Sequence, residues 1–252
     1  MPKNKVEKNL NEYTVIVTGG TRGIGRGISE SFLKEGATVI ATYAGNDKAA
    51  EEFMADNQMH EGRVHVQKFD VTSSDQVKEF FSYVDDKFES VEVLVNNSGI
   101  RQDALTAAMT DEQWQKVIQT NLTGTFHMTR EVISRFMRPR FGRIINISSI
   151  GGQLGLPGQA NYAASKAGQI ALSKSLSKEV AKRGITINNV LPGFIDTELL
   201  DGLPEEQISE YKKQVPMKRF GKVEEVAAAV KFLASPEAGY ITGASLEISG
   251  GL

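Results

Sequence analysis

The chain has 252 residues, with 29 Lys and Arg against 31 Asp and Glu for a net charge of −2, 40% apolar and 24% charged residues, and no cysteine. This composition excludes a globally disordered chain, and the missing cysteine excludes a disulfide framework, a thiolate nucleophile and iron–sulfur ligation. The near-neutral charge argues against general nucleic-acid binding, which shows a basic excess.

Met1 to Glu12 is a polar extension carrying Lys3, Lys5 and Lys8, without the apolar core of a secretion signal. No stretch approaches the ~20 apolar residues of a bilayer span. A cytoplasmic protein is expected, with one domain over residues 13–252. Tyr13–Thr18 reads as a buried strand. Arg22–Glu35 reads as a helix with Ile24, Ile28 and Phe32 on one face and Gly36 as its stop. Thr38–Tyr43 is a strand, Asp47–Asp56 a helix, Val64–Phe69 a strand, and Ser73–Phe88 a helix capped by Ser73 or Ser74. Val91–Val95 is a strand, and a long helical region runs through Trp114 and Met128 to Met137. Arg143–Ile147, Ala160–Arg183 and Ile185–Leu191 follow as strand, helix and strand. Glu205–Gln214 and Val223–Ala234 are helical, and Ser245–Ile248 is a last strand. Continuous apolar strands alternating with helices imply a parallel sheet covered on both faces. The expected fold is α/β, a single doubly wound Rossmann-type domain. Such sheets bind ligands outside the carboxyl ends of their strands, where the strand order reverses.

The first strand runs into Gly19-Gly20-Thr21-Arg22-Gly23-Ile24-Gly25 and then a helix. Glycines let the backbone approach a pyrophosphate, and the helix start offers free N–H groups and a positive dipole end. The spacing is Gly-x-x-x-Gly-x-Gly, so strand-before and helix-after carry the dinucleotide reading. NAD sites place an acid at the end of the second strand. Here that strand ends Tyr43-Ala44-Gly45-Asn46, with no carboxylate before Asp47. Arg22, inside the loop, suits a 2′-phosphate, which favours NADP. The alternative leaves Arg22 as a solvated cation and Asp47 as the ribose acid.

Tyr162 and Lys166 stand four apart on a helix and share a face, and Ser149 follows the preceding strand. A carbonyl receiving hydride develops negative charge on oxygen and needs a proton. A phenol can give it, a nearby ammonium favours the phenolate and lowers its pKa, and a serine hydroxyl can bond the oxyanion. His60, His65 and His127 lack ligand spacing, so no metal site is expected.

Taken together, the chain resembles the short-chain dehydrogenase/reductase family. The carrying residues are Thr18-Gly19-x-x-x-Gly23-x-Gly25, Asp70-Val71, Asn96-Asn97-Ser98-Gly99, Asn121, Ser149, Tyr162-x-x-x-Lys166 and Pro192-Gly193. The resemblance implies a seven-stranded sheet, Tyr162 as acid–base, Ser149 polarising the carbonyl, and Lys166 on the nicotinamide ribose. It implies that Asn121 holds a water in a proton relay. Asp70 and Val71 would contact adenine, and Asn97, Ser98 and Gly99 would line the cofactor groove. Ile195 and Thr197, after Pro192-Gly193, would meet the carboxamide. Ser98 departs from the family's usual alanine.

Within the family, Gly158–Gly168, Arg183–Asn188 and Pro192–Thr197 are similar to the bacterial 3-oxoacyl-[acyl-carrier-protein] reductases of fatty-acid synthesis. That similarity implies reduction of 3-oxoacyl thioesters with NADPH. It also implies a carrier protein docked beside the active site at Arg140 and Arg183, a mobile lid over Leu199–Gln214, and a homotetramer. Acetoacetyl-coenzyme A, polyketide chains and other ketones are alternative substrates. A non-catalytic nucleotide-binding scaffold is the alternative from another class, opposed by the presence of all four catalytic-type residues.

Overall fold

A computed structural model describes residues 9–198 and 204–252. Its strands are β1 (Thr14–Val17), β2 (Thr38–Tyr43), β3 (Val64–Lys68), β4 (Val93–Asn96), β5 (Gly142–Ile147), β6 (Ile185–Pro192) and β7 (Ser245–Ile248). They form one parallel sheet in the order β3-β2-β1-β4-β5-β6-β7. The helices between them are α1 (Gly23–Lys34), α2 (Asp47–Asp56), α3 (Ser74–Lys87), α4 (Asp111–Ile118), α5 (Gly124–Met137), α6 (Gly151–Leu154), α7 (Ala160–Val180), α8 (Glu205–Gln214) and α9 (Val223–Ala234). This is the doubly wound fold expected from the alternation of elements.

Successive strand residues point to opposite faces, and both faces are buried. Val15, Val17, Val39, Val95 and Ile145 pack with Ile28 and Phe32 of α1 and Val226 and Val230 of α9. Ile16, Ile40, Leu94 and Ile144 pack with Val77 and Phe81 of α3 and Met128 and Val132 of α5. Each such side chain contributes about 1.5–3 kcal/mol on burial. Two-sided burial is why the strands read as unbroken apolar runs rather than as alternation.

The chain winds outward from β1 in both directions, because β1 pairs with β2 on one side and β4 on the other. A crevice therefore opens at the carboxyl ends of β1 and β4. Behind it, a buried polar seam crosses the sheet. Asn96, Asn146 and Asn189 are register partners on β4, β5 and β6. Asn96 Nδ2 donates to Asn146 Oδ1 (2.8 Å), Asn146 Nδ2 to Ser173 Oγ (2.8 Å), and Ser173 Oγ to Asn189 Oδ1 (2.7 Å).

The continuous helix expected through Trp114 to Met137 is interrupted. Gln119–Thr123 forms a π turn between α4 and α5, with Asn121 fully buried inside it. The helix expected over Ala160–Arg183 ends at Val180, followed by a 3-10 turn and left-handed Gly184 (φ 69°). The short helix α6 was not foreseen. Of the expected lid, 205–214 is α8, while residues 199–203 lie outside the described residues, as do residues 1–8 of the N-terminal extension. Among the described residues, no helix is long and apolar enough to cross a membrane and no cluster of metal-ligating side chains occurs.

Candidate active site

The glycine loop is shaped by contacts that only glycine permits. Gly19 and Gly23 hold positive φ (61° and 52°). A Cβ on Gly25 would fall 2.0 Å from the Gly19 carbonyl oxygen and 2.4 Å from Asn97 Nδ2, so α1 starts hard against the loop. Gly20 N–H donates to the Thr42 carbonyl, and Ser29 Oγ donates back to the Gly20 carbonyl. Thr18 Oγ1 accepts from the N–H groups of Asn97 and Ser98, both at 2.9 Å. Asn97 Nδ2 donates to the Thr18 and Gly19 carbonyls at 3.0 Å. Asn97 therefore braces the loop with its amide. Thr21 is buried, and Ile24 packs against the core beneath the loop. The first N–H groups of α1 have no partner within the helix, and Arg22 caps them with no side-chain bond, which leaves them available to an anionic diphosphate. A dinucleotide fits this cradle.

At the other end of the crevice, β5 delivers Ser149 and α7 delivers Tyr162 and Lys166. A Cβ on Gly151 would stand 3.3 Å from Ser149 Oγ and 3.7 Å from Tyr162 Cε1, so both groups border one small space. Ser149 Oγ accepts from Gly151 N–H (3.0 Å) and favours ionisation of the neighbouring Tyr162 phenol. Lys166 is buried, with Nζ donating to the Ile147 carbonyl (2.7 Å) and lying 5.7 Å from the Tyr162 ring centroid. Gly99 lines the same space, since a Cβ there would sit 3.4 Å from Asn121 Oδ1 and 3.5 Å from Lys166 Nζ.

Asn121 uses its side chain structurally. Oδ1 accepts from Ile100 N–H (2.8 Å), and Nδ2 donates to the Ile100 carbonyl and to Ser165 Oγ. The π turn aims its carbonyl inward, where Thr125 Oγ1 and Gln169 Nε2 donate to it, both at 2.7 Å. π turns of this kind recur at functional sites.

The electrostatics differ from the sequence expectation. Burial pushes the Tyr162 phenol above its ordinary value, and the Ser149 hydrogen bond and Arg101 only partly oppose this. Lys166 Nζ is hydrogen-bonded to the Ile147 carbonyl, with its charge 5.7 Å from the Tyr162 ring centroid. Burial brings Lys166 itself down to about 8. Arg101 is a second cation beside Tyr162, 5.8 Å from the ring centroid, and it lowers the phenol. Arg101 is paired with Asp103, which also accepts from Gln159 Nε2 at the start of α7. Sequence reasoning passed over Arg101, Asp103 and Gln169. The signal for Gln169 was present: it lies three residues after Lys166, on the same helical face.

At the adenosine end, Tyr43 closes β2 and Ala44 follows it in a bend. Asp47 is committed: it accepts from Tyr43 Oη (2.9 Å) and pairs with Lys68 Nζ (2.7 Å). Arg22 is exposed, with no side-chain partner among the described residues. Asp70 is exposed and holds the turn into α3 by accepting from Thr72 N–H, while Val71 is buried against Gly124. Pro192 ends β6, and Gly193 approaches Ser249 so closely that a Cβ would lie 2.9 Å from its Cα. Ile195 is buried and bridges to Gly221, Thr197 is partly exposed, and Phe194 stacks on Tyr211 of α8 (4.9 Å), tying that helix to the segment after β6.

Arg140 and Arg183 meet elsewhere. Both are exposed, and Arg140 Nη2 donates to the Lys182 carbonyl (2.6 Å). They immediately precede β5 and β6, so they occupy the amino-terminal end of the sheet. The six residues of β5 span about 20 Å between them and Ser149. The expectation of a patch beside the active site does not hold within one chain, because two arginines that each precede a strand cannot share the strands' far end.

The fold and site define a dinucleotide-binding protein with a serine–tyrosine–lysine constellation at the switch point of its sheet. A family model described as Enoyl-(Acyl carrier protein) reductase matches residues 19–252. An acetoacetyl-CoA reductase of Shinella zoogloeoides is 47% identical over 94% of this chain and 96% of its own. A 3-oxoacyl-[acyl-carrier-protein] reductase FabG of Haemophilus influenzae is 45% identical over the same shares, and one of Vibrio cholerae 42% identical over 97% and 98%. The chain belongs to the short-chain dehydrogenase/reductase family, whose members are oxidoreductases using a nicotinamide cofactor.

Proposed function

We propose that the protein reduces 3-oxoacyl thioesters to 3-hydroxyacyl thioesters with NADPH, on acyl-carrier-protein-bound substrates of fatty-acid synthesis. The observation that carries the reading is the shared space bordered by Ser149, Tyr162, Lys166 and Gly99 at the end of a glycine-loop crevice. In that space Ser149 Oγ bonds the 3-keto oxygen and Tyr162 Oη supplies its proton. The buried Lys166 ammonium answers the charge left on the phenol. NADPH, when bound, supplies the hydride. Asn97 and Thr18 hold the diphosphate cradle, and Asn121 fixes the strand-end segment at Ile100. Arg22 supports the 2′-phosphate, because it is unpaired among the described residues while Asp47 is occupied by Lys68 and Tyr43.

Acetoacetyl-coenzyme A is the second reading, favoured by the 47% identity to a reductase named for it. NADPH consumption with acetoacetyl groups on carrier protein, on coenzyme A and on a free ketone ester separates the readings. No turnover on any of the three defeats both. The protein works as a homotetramer. A carrier protein seated on Arg140 and Arg183 then serves the crevice of another copy. Arg140→Glu with Arg183→Glu lowers kcat/KM for the carrier-bound substrate and leaves the coenzyme A substrate unchanged.

A further inference from the structure

We infer that Gln169 is a positioning residue of the proton-transfer site, coupling Lys166 to Asn121 through its own side-chain amide. Gln169 is fully buried, one turn beyond Lys166 on the inner face of α7. Its Nε2 donates to the Asn121 carbonyl (2.7 Å) and to Thr125 Oγ1 (2.9 Å). Its Oε1 accepts from Lys166 Nζ at 3.4 Å. The orientation is determined: Thr125 Oγ1 donates to the same Asn121 carbonyl, so that hydroxyl must accept from Gln169. A flipped amide would set oxygen against the carbonyl and NH2 against the ammonium, two repulsions in a buried site.

The packing role alone needs only volume, which an apolar side chain supplies without burying an amide. The amide adds a negative dipole end beside a buried cation. Facing Lys166 are Tyr162 from α7, Gly99 after β4, Asn121 from the π turn and the Ile147 carbonyl of β5. Of these only Tyr162 titrates, and no carboxylate among the described residues acts on the ammonium. Gln169 Oε1 is thus the side-chain acceptor within hydrogen-bond reach of Lys166 Nζ, placed to favour the charged form.

The kinetic arm of the test rests on the reductase reading, and the titration arm does not. In full-length protein with 13C-labelled lysine, the Lys166 Cε signal is followed against pH and assigned with Lys166→Arg. Gln169→Leu and Gln169→Met lower its midpoint by about half a pH unit or more, and Gln169→Glu raises it by about one. The alkaline limb of kcat for acetoacetyl-thioester reduction moves in the same directions. Circular dichroism identifies folded variants, and any one folded apolar variant beside Gln169→Glu suffices. Coincident midpoints overturn the inference even where kcat falls. Absent turnover in the unmodified protein defeats the reductase reading alone, and the titration still decides Gln169.

Discussion

Tyr162 sits where burial and nearby cations oppose each other, and its protonation follows from which wins. Burial wins, so the phenol stays protonated through neutral pH, the form a proton donor needs. Replacing Arg101 with Gln removes one of the opposing influences and raises the phenol further. Oxidation of a 3-hydroxyacyl thioester, which needs phenolate, then slows at pH 7. The rate–pH profile of the oxidative direction checks this. Tyr162→Phe lowers kcat by about a hundredfold or more with cofactor fluorescence titration unchanged. Arg22→Ala raises KM for NADPH about tenfold and leaves KM for NADH nearly unchanged. The Tyr162–Lys166 pair was legible because a four-residue spacing fixes a shared helical face wherever the helix lies. Arg101 was not legible, since nothing in a loop's spacing says which strand end it crosses. A buried glutamine likewise reads in sequence as one more polar surface residue.

The helices were located by their caps and periodicity, and their interruptions were not. The apolar pattern from Trp114 to Met137 continues across the π turn, so periodicity offers no mark where Asn121 departs from the helix. Gly25 shows the reverse: its spacing was visible, while the reason for it, the 2.0 Å approach to Gly19, required coordinates. Gly25→Ala separates α1 from the loop, costs about 1–3 kcal/mol by overpacking, and weakens NADPH binding in fluorescence titration. At the start of α9, Glu225 accepts from Lys222 N–H (2.7 Å) and from both Nη atoms of Arg219. These bonds hold its carboxyl at about 2, below the ordinary 4.5. The lowered value means the stabilisation is complete above pH 4.5 and drains away as pH falls toward 2. Melting curves of Glu225→Gln therefore lie below those of the parent protein at pH 7 and converge with them near pH 2–3.

At the scale of the molecule, β7 leaves one edge of the sheet open, with Leu246 and Phe232 exposed beside a small apolar cavity of about 130 Å³. An uncovered strand edge of this kind invites pairing. In the proposed tetramer it meets a second copy, and Leu246→Glu with Phe232→Asp lowers the mass seen by light scattering. The order of the sheet was legible from alternation of elements, because a parallel sheet admits few windings. The position of Arg140 and Arg183 was legible too, because each precedes an expected strand and so belongs at the end of the sheet opposite the ligand crevice; the family similarity pointed the other way.

The asparagine seam through β4, β5 and β6 makes the rank of these strands a matter of amide bookkeeping rather than of apolar fit. Were β5 to slide by one residue, its inward isoleucines would still find greasy neighbours, but three carboxamides and a hydroxyl would lose their mates in a dry layer, at about 1–3 kcal/mol apiece. The distances between the groups that meet at the mouth above are thereby fixed from underneath, by residues that never touch what enters.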